Sequence, residues 1–424
     1  MLSARTLREV VVLNKIVVPL FFSLFLALFL SGVQVISEPV KLTPYDIIFV
    51  IFCIVVLMNL LFKRQVYITL TLGQFIAIFL MLLCWHMAQT LRSDSAMRAI
   101  TLLLILVRDG LTVMTIATFL SISLKQNLLS STFFNASILA LVPGLLLFLV
   151  ALSTSGKIAA EPYPGLIYRA GEGLIPHFQG FNHNPIYFAT LSLLSIMNGI
   201  FMLAQNRPRK PLLILSLLIL IMAFFMAFQR GPLLVLMMMV ILTPIFRFLF
   251  RWALQKGVHM RGMFLLVLAA LLLLIFVRLP YYEITLFQRI MLRFQTSEWN
   301  FRFDRWSQML SLSSRNPLIG YGLREAEVLI GGQFVENSYI EILYDQGLIG
   351  LVLWIMLWGY VFLLGVKKSQ IDPSLLPWFY GWWLVLLSMG YISMHYDPLT
   401  WVLAGIIVGW QPRRHTPSRT LLRT

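Results

Sequence analysis

The chain has 424 residues, 59% of them hydrophobic and 12% charged, with a mean hydropathy of +0.85 and a formal net charge of +16. That much apolar surface excludes an ordinary soluble domain and points to a helical membrane bundle. The positive balance raises nucleic acid as a partner, and the placement of the charges, taken up below, removes it.

The first apolar run begins after Lys15. It is too long for a signal-peptide core and has no small-residue cleavage site, so it reads as a retained first helix. Hydrophobic runs predict helices over 16–36, 45–62, 66–89, 98–122, 134–154, 184–204, 211–228, 232–250, 262–279, 338–364, 375–395 and 398–411. Most reach the roughly 20 residues that cross about 30 Å of hydrocarbon, and the last is short. Cys53 and Cys84 lie within such runs and read as small core hydrophobes, with no disulfide framework or metal spacing. Arg108 and Asp109 fall near the middle of the fourth helix. Sequence neighbours do not share a helix face, so one or both are expected to point into a polar cavity or meet a polar group on another helix, in a helix-packing role, instead of simply neutralising each other.

Threading the helices from a cytoplasmic amino terminus gathers nineteen basic residues on the inside, from Arg5 and Arg8 through Lys367, Lys368 and Arg423, against two acids, Glu9 and Asp372. The outside set nearly balances. The positive excess is therefore an orientation signal, both termini are expected in the cytoplasm, and nucleic acid is not needed.

Two outside segments exceed simple turns, 155–183 and 280–337. In the second, Trp299, Phe303, Trp306 and Leu310 recur at helical spacing and predict one face of an amphipathic helix. Asn316-Pro317 stops it, and Gly320, Gly322, Gly331 and Gly332 mark a glycine-rich loop. A shorter helix around 283–295 would place Arg289 and Arg293 one turn apart. No repeat relates the two halves, which weakens a transporter reading.

The outer face is rich in arginine: Arg230, Arg278, Arg289, Arg293, Arg302, Arg305, Arg315 and Arg324. Arginine offers a planar fork of donors suited to phosphate. Lipid headgroups, or pairing with Glu298, Asp304, Glu325 and Glu327, account for any one of them taken singly. Arg230 stands apart, because Gln229-Arg230-Gly231 interrupts two apolar runs with almost no loop to hold the charge in water. A charge at that depth costs a few kcal/mol unless something satisfies it, which makes it a site candidate. The tryptophans 354, 358, 378, 382, 383 and 401 sit mostly toward helix ends and read as interfacial anchors.

The most specific pattern is Glu336-Asn337-Ser338-Tyr339-Ile340-Glu341, where Asn337 is followed by nine residues and Gly347, then two and Gly350. With Arg230 at a hairpin, Arg302 and Trp306 ahead of Asn316-Pro317-Leu318-Ile319-Gly320, and the turn Gly180-Phe181-Asn182-His183-Asn184-Pro185, it resembles the O-antigen ligase and polymerase superfamily over roughly 180–365. The resemblance implies a membrane glycosyltransferase with an undecaprenyl-diphosphate-linked glycan as donor, and diphosphate-gripping arginines at Arg230 and Arg302. The residue before the matching asparagine is typically histidine in that family, held to help activate the acceptor hydroxyl; here it is Glu336.

Attack of a sugar hydroxyl on an anomeric carbon needs a base at the incoming oxygen and stabilisation of the departing diphosphate. A carboxylate can be that base, although an ordinary glutamate titrates near about 4.3. Glu336 as base, and Glu336 as a partner of a loop arginine or of acceptor hydroxyls, stay open together. His183, at a helix end, is a further candidate for contact with substrate, as is Asn184.

No phosphate-cradling loop, dinucleotide fingerprint, HExxH or Cys/His metal cluster occurs, so neither cofactor nor metal is expected. The expected fold is an all-α polytopic membrane protein of about twelve helices. Helices 1–9 would fill 1–279, a periplasmic loop domain 280–337, helices 10–12 residues 338–411, and a cytoplasmic tail 412–424. Glu336, Arg230 and Arg302 are the expected catalytic set, with Arg289, Arg293, Arg305, Asn337, His183 and Asn184 binding substrate. The expected location is the bacterial inner membrane. The expected partners are the lipid-linked oligosaccharide, an acceptor glycan (a lipid-linked repeat or lipid A core), membrane lipids and a candidate chain-length regulator. Glu336 in place of histidine leans toward a polymerase. A ligase, a lipid-linked-oligosaccharide flippase and a non-catalytic assembly scaffold are the alternatives.

Overall fold

A computed structural model describes residues 18–30, 43–63, 69–122, 128–153, 167–170, 175–178, 185–205, 210–227, 232, 235–238, 298–330 and 335–412. The described elements are helices α1 (Val18–Phe29), α2 (Pro44–Lys63), α3 (Leu70–Thr90), α4 (Ala96–Ile122) and α5 (Leu128–Ser153). Strands β1 (Ile167–Ala170) and β2 (Ile175–Phe178) follow, then α6 (Pro185–Ala204) and α7 (Lys210–Met226). The second half holds α8 (Glu298–Ser313), α9 (Glu325–Leu329), α10 (Ser338–Ile371), α11 (Leu376–Ser388) and α12 (Pro398–Gly409).

Among the described residues, five helices are long and apolar enough to cross a membrane, and α1, α2, α7 and α12 carry shorter apolar stretches. Apolar side chains on the outward faces, among them Leu80, Met81, Leu104, Leu111, Ile355, Met356 and Leu363, are 44–64% exposed. In water such a girdle would be a liability, and against lipid it is the solvent-matched surface. The protein is a helical, membrane-embedded one. The expected helices 232–250 and 262–279 and the expected short helix 283–295 fall on residues outside, or almost entirely outside, the described ones. One element departs from an all-α fold: β1 and β2 pair antiparallel within 155–183, with Ile167 opposite Phe178 and Ala170 opposite Ile175.

Local chemistry sets the helix ends. Thr69 caps α3 by accepting from Leu72 N at 3.2 Å, and Asp397 caps α12 by accepting from Leu399 N at 2.8 Å, with Pro398 as its first residue. At the other end of α12, Lys368 Nζ donates to the carbonyls of Ile407 and Val408 at 3.0 and 2.7 Å. Expected as a loop cation, Lys368 is instead buried, its charge set on the negative end of a helix.

Among the described residues, two large apolar clusters fill the bundle. Phenylalanines 21, 25, 52, 119 and 133 pack with Trp378 where α1, α2, α4, α5 and α11 meet, while α5, α6 and α7 bury a second apolar cluster. Trp354, Trp378, Trp382 and Trp401 are at most 2% exposed, and Trp358 is buried as well. The anchoring expected of these five is thus overturned: each indole faces inward, where its large apolar area fills the bundle. The α4–α12 interface is the tightest. A Cβ on Gly405 would lie 2.9 Å from Ile116 Cβ, and one on Gly409 2.5 Å from Ala117 Cα. Two small residues four apart let the backbones touch, the device that replaces hydrophobic driving force between helices in lipid.

Arg108 corrects another expectation. Its Nε and Nη2 lie 2.9 and 2.8 Å from Asp109 Oδ1, while Nη1 reaches Asp46 Oδ1 of α2 at 3.0 Å. Adjacent Cβ atoms do diverge, but the arginine stem is long enough to fold its fork back over its neighbour. The expected partner on a second helix is present too, as Asp46.

Candidate functional site: a polar loop clamped to a broken helix

Helix α8 carries polar residues on most of its surface. Its inward face runs through Arg302, Arg305, Trp306, Met309 and Ser313, with Met309 fully buried. Phe303 and Leu310 are 54% and 47% exposed, so the expected face of 299, 303, 306 and 310 is rotated by about one residue. Only Trp306 of the described members packs inward, against Val335, Ala326 and Tyr344. The helix ends at Ser313, as Asn316-Pro317 requires.

Beyond it, residues 316–326 form a loop fixed by its own backbone to α10. Helix α10 is broken at Gly347, whose φ of 67° and ψ of −170° only glycine adopts readily. The break frees main-chain groups that a continuous helix would consume, and the loop takes them. Leu348 N donates to Pro317 O at 2.8 Å, Ile349 N to Leu318 O at 3.1 Å, Tyr321 N to Tyr344 O at 3.0 Å and Gly322 N to Asp345 O at 2.8 Å. The two backbones approach so closely that a Cβ on Gly347 would fall 2.4 Å from the Leu318 carbonyl. The buried Asp345 carboxylate completes the clasp, accepting from Arg324 N at 2.9 Å and Ala326 N at 2.7 Å.

Helix α3 holds the same loop from the other side. Gln89 Nε2 donates to Ile319 O at 2.8 Å, and Arg92 reaches Ile319 O and Gly320 O at 3.0 and 3.1 Å. Glu325 accepts from Ser93 Oγ and Asp94 N. Every buried polar group so satisfied removes a route for the loop to leave.

The loop returns at Val335, Glu336 and Asn337 to start α10. Trp306 Nε1 donates to Val335 O at 3.0 Å. One turn earlier on α8, Arg302 Nε lies 2.7 Å from Glu336 Oε2, the side chains being 18% and 34% exposed. Glu336 adopts φ 57°, a left-handed backbone that costs a non-glycine residue about 1–3 kcal/mol. Asn337 caps α10, its Oδ1 accepting from Tyr339 N and Ile340 N at 3.1 and 3.2 Å, while its Nδ2 donates to Gly390 O at 2.9 Å. Ser338 N donates to Met389 O at 2.8 Å, and Ser393 Oγ to Glu341 Oε2 at 2.5 Å. The turn 389–397 between α11 and α12 thus buttresses the site from behind. Burial pushes the Tyr391 phenol in that turn up, against the smaller downward pull of its contacts with Ser388 and Thr190 and of the Arg302 guanidinium.

Of the expected site residues, the structure brings Arg302, Glu336 and Asn337 together. Arg305 sits on the inward side of α8, partly buried; Arg315 is exposed; and Arg324 pairs with Glu327. Arg230, Arg278, Arg289, Arg293, His183 and Asn184 lie outside the described residues. Sequence reading missed Asp345, Gln89, Arg92 and the 389–397 turn. The polar triplet Asp345-Gln346-Gly347 inside an apolar helix was the available signal for the first.

These features define a class: a multi-helix membrane protein that sets a cation–carboxylate pair at the start of a broken helix, beside a loop locked to that break. Residues 215–355 match the family model described as O-Antigen ligase, a range holding α8, the clasped loop, Glu336, Asn337 and the break at Gly347. Over that third of the chain the sequence is similar to the O-antigen ligase family. No curated protein matches it.

Proposed function

We propose that the protein is a glycosyltransferase that moves a glycan from undecaprenyl diphosphate to a sugar hydroxyl, at the periplasmic leaflet of the bacterial inner membrane. The observation that carries this reading is the placement of Arg302 beside Glu336 on a pre-shaped rim: a phosphate-gripping group next to a proton acceptor.

In the reaction the acceptor oxygen attacks the anomeric carbon of the donor's first sugar. Its proton passes to the Glu336 carboxylate, the anomeric carbon–phosphate oxygen bond breaks, and the electron pair leaves on undecaprenyl diphosphate. Arg302, with Arg230, holds the diphosphate and stabilises the charge that builds on it. Arg289, Arg293 and Arg305 extend that cationic surface, while His183 and Asn184 contact the glycan. Asn337 keeps the turn in shape by capping α10. The clasp fixes the loop ahead of this turn to α10 and so limits movement of the backbone that carries the site. Both termini face the cytoplasm in this arrangement.

A carboxylate at the position of Glu336 favours a lipid-linked repeat as acceptor, hence a polymerase. Purified protein incubated with undecaprenyl-diphosphate repeats, with and without lipid A core, tests the reading. Laddered lipid-linked products without core identify a polymerase, product only with core identifies a ligase, and no product under either condition overturns glycosyl transfer.

A further inference from the structure

We infer that the donor diphosphate and Glu336 compete for Arg302, so that donor binding releases the carboxylate and the acceptor can be engaged only afterwards. The inference rests on the donor site proposed above and adds an order of events to it.

Three observations carry it. First, the two groups given opposite tasks are bound to each other: Arg302 Nε sits 2.7 Å from Glu336 Oε2. A carboxylate in that contact is occupied, and its negative charge lies where a phosphate must approach. Two anions brought onto one guanidinium repel, whichever edges of the fork they take, so the sites are negatively coupled. Second, both side chains are partly exposed, at 18% and 34%, so an incoming anion can reach the pair without the bundle opening.

Third, the backbone around Glu336 is pinned by anchors on either side, whereas its carboxylate is held through Arg302. Val335 O is held by Trp306, Asn337 Nδ2 by Gly390 O, and Ser338 N by Met389 O. Glu336 itself stays in the left-handed region, with φ 57°. The flanking anchors turn any exchange into rotation of one side chain in place of a loop movement. The released carboxylate then swings on a fixed pivot beside the site it has vacated. The diphosphate of the glycan-linked donor carries two negative charges and outweighs a single carboxylate on Arg302, which gives the exchange its direction.

Reciprocity makes the test direct, because whatever the donor does to Glu336, removing Glu336 must do for the donor. Undecaprenyl diphosphate is titrated into the purified full-length protein and its variants, and turnover is measured alongside. Glu336→Gln and Glu336→Gly should each bind the lipid about fivefold tighter or more, while losing turnover. The glycine variant suits the left-handed backbone, so a folding defect does not mask the result. In an Arg302→Gln background the gain from Glu336→Gln should vanish. If both Glu336 variants bind no more tightly than the wild type, the exchange is overturned while the donor site stands. If Arg302→Gln binds as tightly as the wild type, the donor site fails and the exchange with it.

Discussion

Arg302 and Glu336 meet at 2.7 Å across the gap between α8 and the residue before the α10 cap, and this contact ties α8 to the start of α10. Trp306, one turn along the same helix, holds the adjoining carbonyl of Val335. A single short helix therefore grips both faces of the turn from which the proposed base projects.

Replacing Arg302 should strike chemistry more than folding. Arg302→Ala is expected to lower turnover by about 10²–10³-fold, the usual loss for one charge-stabilising donor. Arg302→Lys should recover only part, because a point charge lacks the planar fork. Single-turnover assays with lipid-linked repeats, set beside a thermal melt in detergent, separate the two effects.

Gly347→Ala should be far more damaging than Gly359→Ala in the same helix. The new Cβ would lie 2.4 Å from the Leu318 carbonyl, on a backbone with φ 67°. A loss of about 2–4 kcal/mol is expected from strain and displaced loop contacts together. Gly359→Ala in the same helix, where a Cβ meets nothing within 4 Å, is the control and should be silent or mildly stabilising. Differential scanning fluorimetry on both variants reads the contrast.

Asp345→Asn should loosen the clasp without emptying its space. The carboxylate accepts from two backbone N–H groups, and an amide can accept on only one of its two ends. The orphaned N–H costs about 1–3 kcal/mol. Hydrogen exchange in the 320–328 segment should rise while the α4 and α12 amides keep their protection.

Gly409→Val should separate α4 from α12, since its Cβ would stand 2.5 Å from Ala117 Cα. Overpacking of this kind costs about 1–3 kcal/mol, and the melt should fall although the site is untouched. Arg108→Ala should also destabilise, by about 3–5 kcal/mol, because it strands the buried carboxylate of Asp109 and removes one partner of Asp46. Replacing all three by neutral side chains should restore most of that loss in the same assay.

The sequence by itself determined what depends on local composition and spacing. Apolar runs of about twenty residues can only be satisfied as helices in lipid, so the membrane class was legible, as was the end of α8 at Asn316-Pro317. The order of Arg230, Arg302, Asn337, Gly347 and Gly350 along the chain was enough to suggest the family whose model 215–355 matches, with Glu336 standing where that family typically has histidine. Tertiary structure decided the rest. Amphipathic periodicity locates a helical face only to within a residue or so, hence the rotation of α8 that exposes Phe303 and Leu310. Tryptophans near helix ends look like anchors until the bundle closes over them. Arg108 and Asp109 diverge at Cβ, yet a long side chain folds back between two helices whose proximity no local rule foretells. The clasp at Gly347 belongs to the same kind. Its bonds join residues near 320 to residues near 345 and near 90, and such partners are chosen by packing of the whole bundle, a property that no window of sequence contains.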